Sequence, residues 1–267
     1  MAARSTNHVK EEEGYLASLS DLMVGMLFVF IIILMSFALK LRIAESELER
    51  KMAEVEKLKE DLDKLRRKLI QDSELREQLL QDIKHTLEEH GVKVELDLKN
   101  GILRLPEKLL FDSGSADFNE TGKYAVIHLA RALSLLLPCY GQRASHAGDC
   151  PAHAQPIRFD VILIEGHTDN VPISRRDFAD NWVLSMARAR NTYEELKTET
   201  PGLAEIRNPR GESLFSMGAY ADTRPVAPND TETGRRQNRR IDLRFILATP
   251  ESGELRDIEQ KLRNPAE

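Results

Sequence analysis

Residues 22–39 carry no charged side chain, and at 1.5 Å per residue this run of 18 spans about 27 Å as a helix, close to a bilayer core. A cleaved signal peptide would want a basic start, a shorter apolar stretch and a small-residue cleavage site. Here the run continues instead into Lys40, Leu41 and Arg42. It is therefore read as an uncleaved transmembrane helix over residues 15–40, preceded by a short tail of residues 1–14. Flanking charge does not orient it, because Arg4 and Lys10 lie on one side and Lys40 and Arg42 on the other.

The rest of the chain is of a different kind. Charged residues make up 31% of the 267, near the soluble average. That mean hides a polar start, an apolar run and a segment, residues 41–90, dominated by Glu, Lys, Leu and Arg. A net charge of -6 without a basic, aromatic-interleaved stripe gives no nucleic-acid partner.

In that segment Leu48, Val55, Leu58, Leu62, Leu65 and Leu69 recur at alternating threes and fours, the seam of a coiled coil, which favours a homodimer. A solvated single helix is the alternative. A phase shift follows: Leu75, Leu79, Ile83 and Leu87 carry the stripe to His90 and Gly91, where the helix should stop.

From Val92 the period becomes two, and Asn100-Gly101 offers a hairpin turn into Ile102, Leu103 and Leu105. The pattern then predicts a helix over 119–137, a strand over 159–165, a helix over 181–198 and strands over 215–220 and 239–247. The fold class is an α/β sandwich over 91–249, with 250–267 as a tail. A Gly/Ala/His/Pro-rich insert at 138–156 holds both cysteines, Cys139 and Cys150. Outside the cytoplasm they would form a disulfide worth about 3 kcal/mol in the chain-entropy model; buried free thiols are the other reading. His146 and His153 stand nearby, but the spacing matches no standard zinc set.

Asp21 marks the start of the apolar run. If the helix begins at Ser20, Asp21 is a first-turn acid at the interface, favoured by the helix dipole and functionally silent. If it begins near Tyr15, Asp21 lies more than a turn inside, where a carboxylate is costly and marks an ion or proton path. No cofactor is expected; the transported ion would be a proton, since only Ser18 and Ser20 offer further oxygen ligands nearby.

Three stretches collect unusual polar groups: Glu165-Gly166-His167-Thr168-Asp169-Asn170, the run from Asn181 to Ala189, and Gly234-Arg235-Arg236-Gln237-Asn238-Arg239-Arg240. Asn181, Ser185 and Arg188 fall on one helix face. His167 with Asp169 invites a metallohydrolase, yet no third ligand is suitably spaced, so no enzyme and no metal are expected. A binding site makes better use of them: an Arg fork matches a carboxylate and an Asp an ammonium, so Arg188 with Asp169 suits a zwitterionic amino-acid end. A mutual salt bridge is the plainer alternative.

Together with Phe111-Asp112-Ser113-Gly114-Ser115, these ordered motifs resemble the OmpA-like peptidoglycan-binding family over about 92–248. The resemblance implies that Asp169 and Arg188 hold the free end of diaminopimelate in the stem peptide, with Asn181 and Asn238 lining the pocket and Thr168 and Arg239 completing the set. The cysteine insert and the long stretch 171–180 depart from short family members at the rim. The same resemblance places the domain outside the inner membrane and the N-terminus in the cytoplasm, which agrees with a disulfide. Ser20-Asp21-Leu22-Met23 before an apolar run is similar to the B subunits of flagellar-type stators, which implies a dimer inside a ring of A subunits with Asp21 carrying ions. Flagellar torque units are one branch of that family and the Zorya anti-phage B subunit another. The long Lys/Glu-rich segment and the cysteine insert favour Zorya, and a passive wall-binding anchor is the competing class.

Overall fold

The computed structural model describes residues 5–112, 114–141, 150–174 and 177–249, with side chains from Ser20 onward. The described residues fall into two compact units, 5–64 and 65–249.

In the first unit the chain is helical from Ser5, within α1 (Ser5–Glu89). Its apolar segment is long and apolar enough to cross a membrane, and the large side chains from Leu22 to Leu39 are exposed to the surroundings rather than covered by protein. Further on, helix-favouring Lys, Glu and Leu dominate, and pairs one turn apart such as Lys51 with Glu47 at 3.1 Å add local support. Leu48, Val55 and Leu62 of the heptad seam are exposed.

The second unit starts inside α1. Leu75, Leu79, Ile83 and Leu87 are buried among the strands and helices that follow. The phase shift after Leu69 therefore has a physical cause: from Leu75 the apolar stripe faces the core of its own domain. By compactness the second unit begins at Leu65. The helix ends where Gly91 adopts φ 75° and Val92 N–H donates to the Leu87 carbonyl at 2.9 Å.

Among the described residues five strands form one sheet in the order β1-β2-β5-β3-β4: β1 (Glu95–Asp97), β2 (Ile102–Pro106), β3 (Phe159–His167), β4 (Phe215–Ala221) and β5 (Arg240–Leu247). β3 and β4 run parallel and the other pairs antiparallel. The hairpin turn falls at Gly101, with φ 66°. The helices are α2 (Glu107–Leu110), α3 (Glu120–Leu136), α4 (Asn181–Glu199) and α5 (Glu232–Asn238). Asn119 and Asp180 cap α3 and α4 by accepting from Gly122 and Val183 N–H. α4 packs on β3 and β4, and α3 packs on α4.

Alternation separates the two faces of the sheet. Leu103, Leu105, Ile162, Ile164, Ile241, Leu243 and Phe245 enter the apolar core with the helices. Arg104, Glu165, His167, Asp242 and Arg244 alternate with them and so point to the other face.

Candidate functional site

The carboxyl end of β3, the N-terminal half of α4, the start of α2 and the junction of α5 with β5 meet at one place. Gly166 makes this possible: a Cβ there would overlap the Ser185 main-chain carbonyl, so only glycine lets α4 lie this close to β3. Ser185 then fixes the helix, its Oγ accepting Ala221 N–H at 3.3 Å and donating to the Trp182 carbonyl at 3.0 Å. Arg188, almost one turn further on, is carried to the centre of the site.

Arg188 is 1% exposed. Its Nε donates to the Ser115 carbonyl at 2.8 Å, and its guanidinium lies 5.2 Å from the centre of the Phe111 ring. The Phe111–Ser115 motif thus brackets this arginine; Ser113 itself lies outside the described residues. Nη2 pairs with Glu107 Oε1. Burial pushes the Arg188 pKa down, with Glu107 opposing.

Asp169 does not pair directly with Arg188. Its Oδ2 takes Arg239 Nη1 at 2.5 Å, and its Oδ1 accepts Val171 N–H at 3.0 Å. Arg239 also reaches Glu107 Oε2 at 2.5 Å and Glu232 Oε1 at 3.2 Å. Burial alone would lower the Arg239 pKa, but the Asp169, Glu232 and Glu107 carboxylates outweigh it and raise it.

The other expected residues are organisers of loops. Asn181 Nδ2 donates to the carbonyls of Asp169 and Val171 at 3.2 and 3.0 Å, shaping the turn that holds Asp169. Thr168 is buried, its Oγ1 donating to the Asp169 carbonyl at 2.9 Å. Asn238 commits its whole amide to one loop: Oδ1 accepts from Val226 and Ala227 N–H, and Nδ2 donates to the Ala227 carbonyl and Asn229 Oδ1. Both donors and both lone pairs are used, so Asn238 supports the site without capacity left for a ligand.

Sequence reading misses Glu107 and Glu232. Each opens a short helix, where an acid reads as complementing the dipole. Only the folded chain brings Glu107 beside Arg239.

His167 does not join Asp169. It lies on the charged sheet face, with Glu165 and Asp242 carboxylates 3.6 and 3.8 Å from Nε2, and stacks on Tyr220 at 5.3 Å. Ligand atoms of these three residues lie within 4.8 Å of one another. The donor set still does not suit a cation. Arg244 grips Glu165 at 2.7 and 2.8 Å, and Arg104 and Arg240 reach Asp242 at 3.0 and 2.9 Å, so guanidinium groups already neutralise both carboxylates.

Asp21 is exposed and lies well beyond the start of α1 at Ser5, which excludes a first-turn position. Tyr15 and Ser18 side chains fall outside the described ones. Cys139 and Cys150 form a disulfide. The insert is tied to α1 within the same unit: Tyr140 Oη donates to Asp82 Oδ2 at 2.8 Å, His153 Nε2 lies 3.0 Å from the same oxygen, and Gln71 Nε2 donates to Gln155 Oε1 at 2.9 Å. His153 is thus engaged with Asp82; His146 lies outside the described residues.

No protein-family model matches the chain. It is similar to motility protein B of Bacillus subtilis, 30% identical over 159 residues that cover 59% of this chain and 49% of that protein. The match thus spans about half the length of that relative. A second protein of Bacillus subtilis, called uncharacterized protein YtxE, is 23% identical over 251 residues, covering 90% of each chain. Among solved structures, a putative MotB like protein from Desulfovibrio vulgaris aligns with TM-score 0.48 and 20% identity, over 66% of this chain and 96% of that one.

Proposed function

We propose that this chain is the B-type subunit of an ion-driven motor complex, anchored in the bacterial inner membrane by α1 and fixed to peptidoglycan through Arg188 and Asp169. One observation carries the reading. A single chain combines an acid inside an apolar helix, Asp21, with a buried guanidinium and carboxylate matched to an amino-acid end. Similarity to motility protein B supports it, and the disulfide fits an oxidising compartment for the C-terminal unit.

In this reading Asp21 alternates between a neutral form and a charged form facing a channel formed with a ring of A subunits. One charge crossing the field supplies about 2.3 kcal/mol per 100 mV. Two chains pair along the exposed seam of Leu48, Val55 and Leu62. The ion is a proton and no cofactor takes part. Arg188 takes the carboxylate and Asp169 the ammonium of the diaminopimelate end, which fixes the dimer against the reaction torque. The host system is anti-phage defence of the Zorya type rather than motility; the long Lys/Glu-rich helix and the cysteine insert support this.

Co-sedimentation of the detergent-solubilised chain with purified peptidoglycan tests the anchor. Arg188→Ala should leave the chain in the supernatant, and unchanged pelleting removes the site assignment. For the motor, Asp21→Asn keeps the size and removes the titration. Full phage protection or motility in that variant would leave only a passive tether.

A further inference from the structure

In the proposed function Arg188 and Asp169 take a ligand's carboxylate and ammonium, and the role of their present partners rests on that reading. Neither group is idle. Arg188 and Asp169 are both buried, and each already holds an opposite charge: Glu107 on Arg188, and Arg239 on Asp169 at 2.5 Å. The two holders also hold each other, Arg239 Nε lying 2.5 Å from Glu107 Oε2. Their backbones are joined as well, Glu107 N–H donating to the Arg239 carbonyl at 2.9 Å. The sequence of charge across the site is therefore Arg188, Glu107, Arg239, Asp169, alternating in sign, with Glu232 as a further acid on Arg239.

We infer that Glu107 and Arg239 are internal stand-ins for the carboxylate and ammonium of a zwitterionic ligand end, which enters by replacing each of them at its partner. The exchange leaves no charge orphaned. Glu107, displaced from Arg188, keeps Arg239; Arg239, displaced from Asp169, keeps Glu107 and Glu232. Stranding a buried carboxylate without a partner would be strongly unfavourable, and this arrangement avoids it.

The same charge balance makes Glu107 a specificity-determining residue. An end that carries a carboxylate alone would set four anions, its own with Glu107, Asp169 and Glu232, against the two guanidiniums of Arg188 and Arg239. An end that carries both charges leaves the net charge of the site unchanged. Glu107 therefore rejects plain acids by charge, while Arg188 accepts the carboxylate that belongs to an amino acid.

Calorimetric titration of the full chain in detergent tests this with meso-diaminopimelate and with pimelate, which keeps both carboxylates and lacks both amines. The wild-type chain should prefer diaminopimelate by on the order of 100-fold or more, since a site built for an ammonium rejects the analogue without it. Glu107→Gln makes the site one unit more positive, and the preference should fall below about tenfold as pimelate gains and diaminopimelate loses. An undiminished preference in Glu107→Gln overturns the stand-in role while leaving wall binding intact. A wild-type chain that binds neither diaminopimelate nor peptidoglycan overturns the wall-binding reading and this inference with it. Should Glu107→Gln fail to fold, a structure of the wild-type chain with diaminopimelate decides the matter: Glu107 should contact Arg239 and have left Arg188, and a Glu107 still on Arg188 overturns the proposal.

Discussion

Gly166 in β3 lies directly against the main-chain carbonyl of Ser185 in α4, so close that a methyl group there would overlap it. Backbone cannot yield as a flexible side chain can. Gly166→Ala should therefore push α4 away from β3, destabilising the fold by about 1–3 kcal/mol as overpacking does. Because Arg188 rides on the same helix, peptidoglycan binding should fall even at temperatures where the variant stays folded. Thermal melting together with co-sedimentation checks both; a variant that is destabilised yet binds normally would show that α4 placement is not what sets the site.

Much of the fold is legible in the sequence, for local reasons. Alternation around Leu243, between Asp242 and Arg244, marks a strand with one polar face, the apolar run 161–164 bounded by Glu165 and Gly166 marks a buried strand, and Asp180 ahead of Asn181 marks a helix start. Arg188 and Asp169 stand out as types suited to an amino-acid end. Glu107 is not legible, because its partners Arg188 and Arg239 are distant in sequence and no spacing rule connects them. α2 and α5 are too short for a helical period to show. The phase shift before Leu75 is visible while its meaning is not, since a stripe facing a sheet and one facing a second helix share the same spacing.

That difference along one helix is measurable. Ile83 is fully buried in the domain core, whereas Leu62 is 48% exposed on the seam. Ile83→Ala should cost the C-terminal unit about 2–5 kcal/mol. Leu62→Ala should leave that unit's melting unchanged and instead weaken self-association, read by sedimentation equilibrium in detergent. Equal effects of the two on melting would contradict the division of the helix into a seam and a core segment.

The disulfide closes a short loop, with the two cysteines 11 positions apart. Replacing both with serine should cost about 3 kcal/mol by loop entropy. The insert remains held to Asp82 through Tyr140 and His153, so the loss should be largest at the insert itself. Hydrogen exchange should quicken at residues 150–157 before it does in β3 or β5; uniform acceleration would mean that the bridge supports the whole domain.

The charged sheet face should govern acid stability. His167 is buried, its Nε2 lies 3.6 Å from a Glu165 carboxylate oxygen, beyond hydrogen-bond length, and burial holds its pKa below 6.5. The unfolded chain then binds a proton more readily, so this stabilisation is complete above about pH 6.5 and is lost as pH falls through the lower folded value. His128, also lowered by burial and by His90, acts in the same direction. Glu165 follows at lower pH: burial would raise its pKa, but His167 and Arg244 outweigh that and bring it from 4.5 to about 2. Its contribution is present above about pH 4.5 and disappears between that value and about 2. The melting temperature of the full chain should thus decline from near neutral pH downward, and then again below about pH 4.5. His167→Phe keeps the stacking on Tyr220 and removes the titration, so it should flatten part of the first decline and, because His167 also helps to lower the Glu165 pKa, shrink the second. An unchanged profile in that variant would assign the neutral-range loss to groups elsewhere.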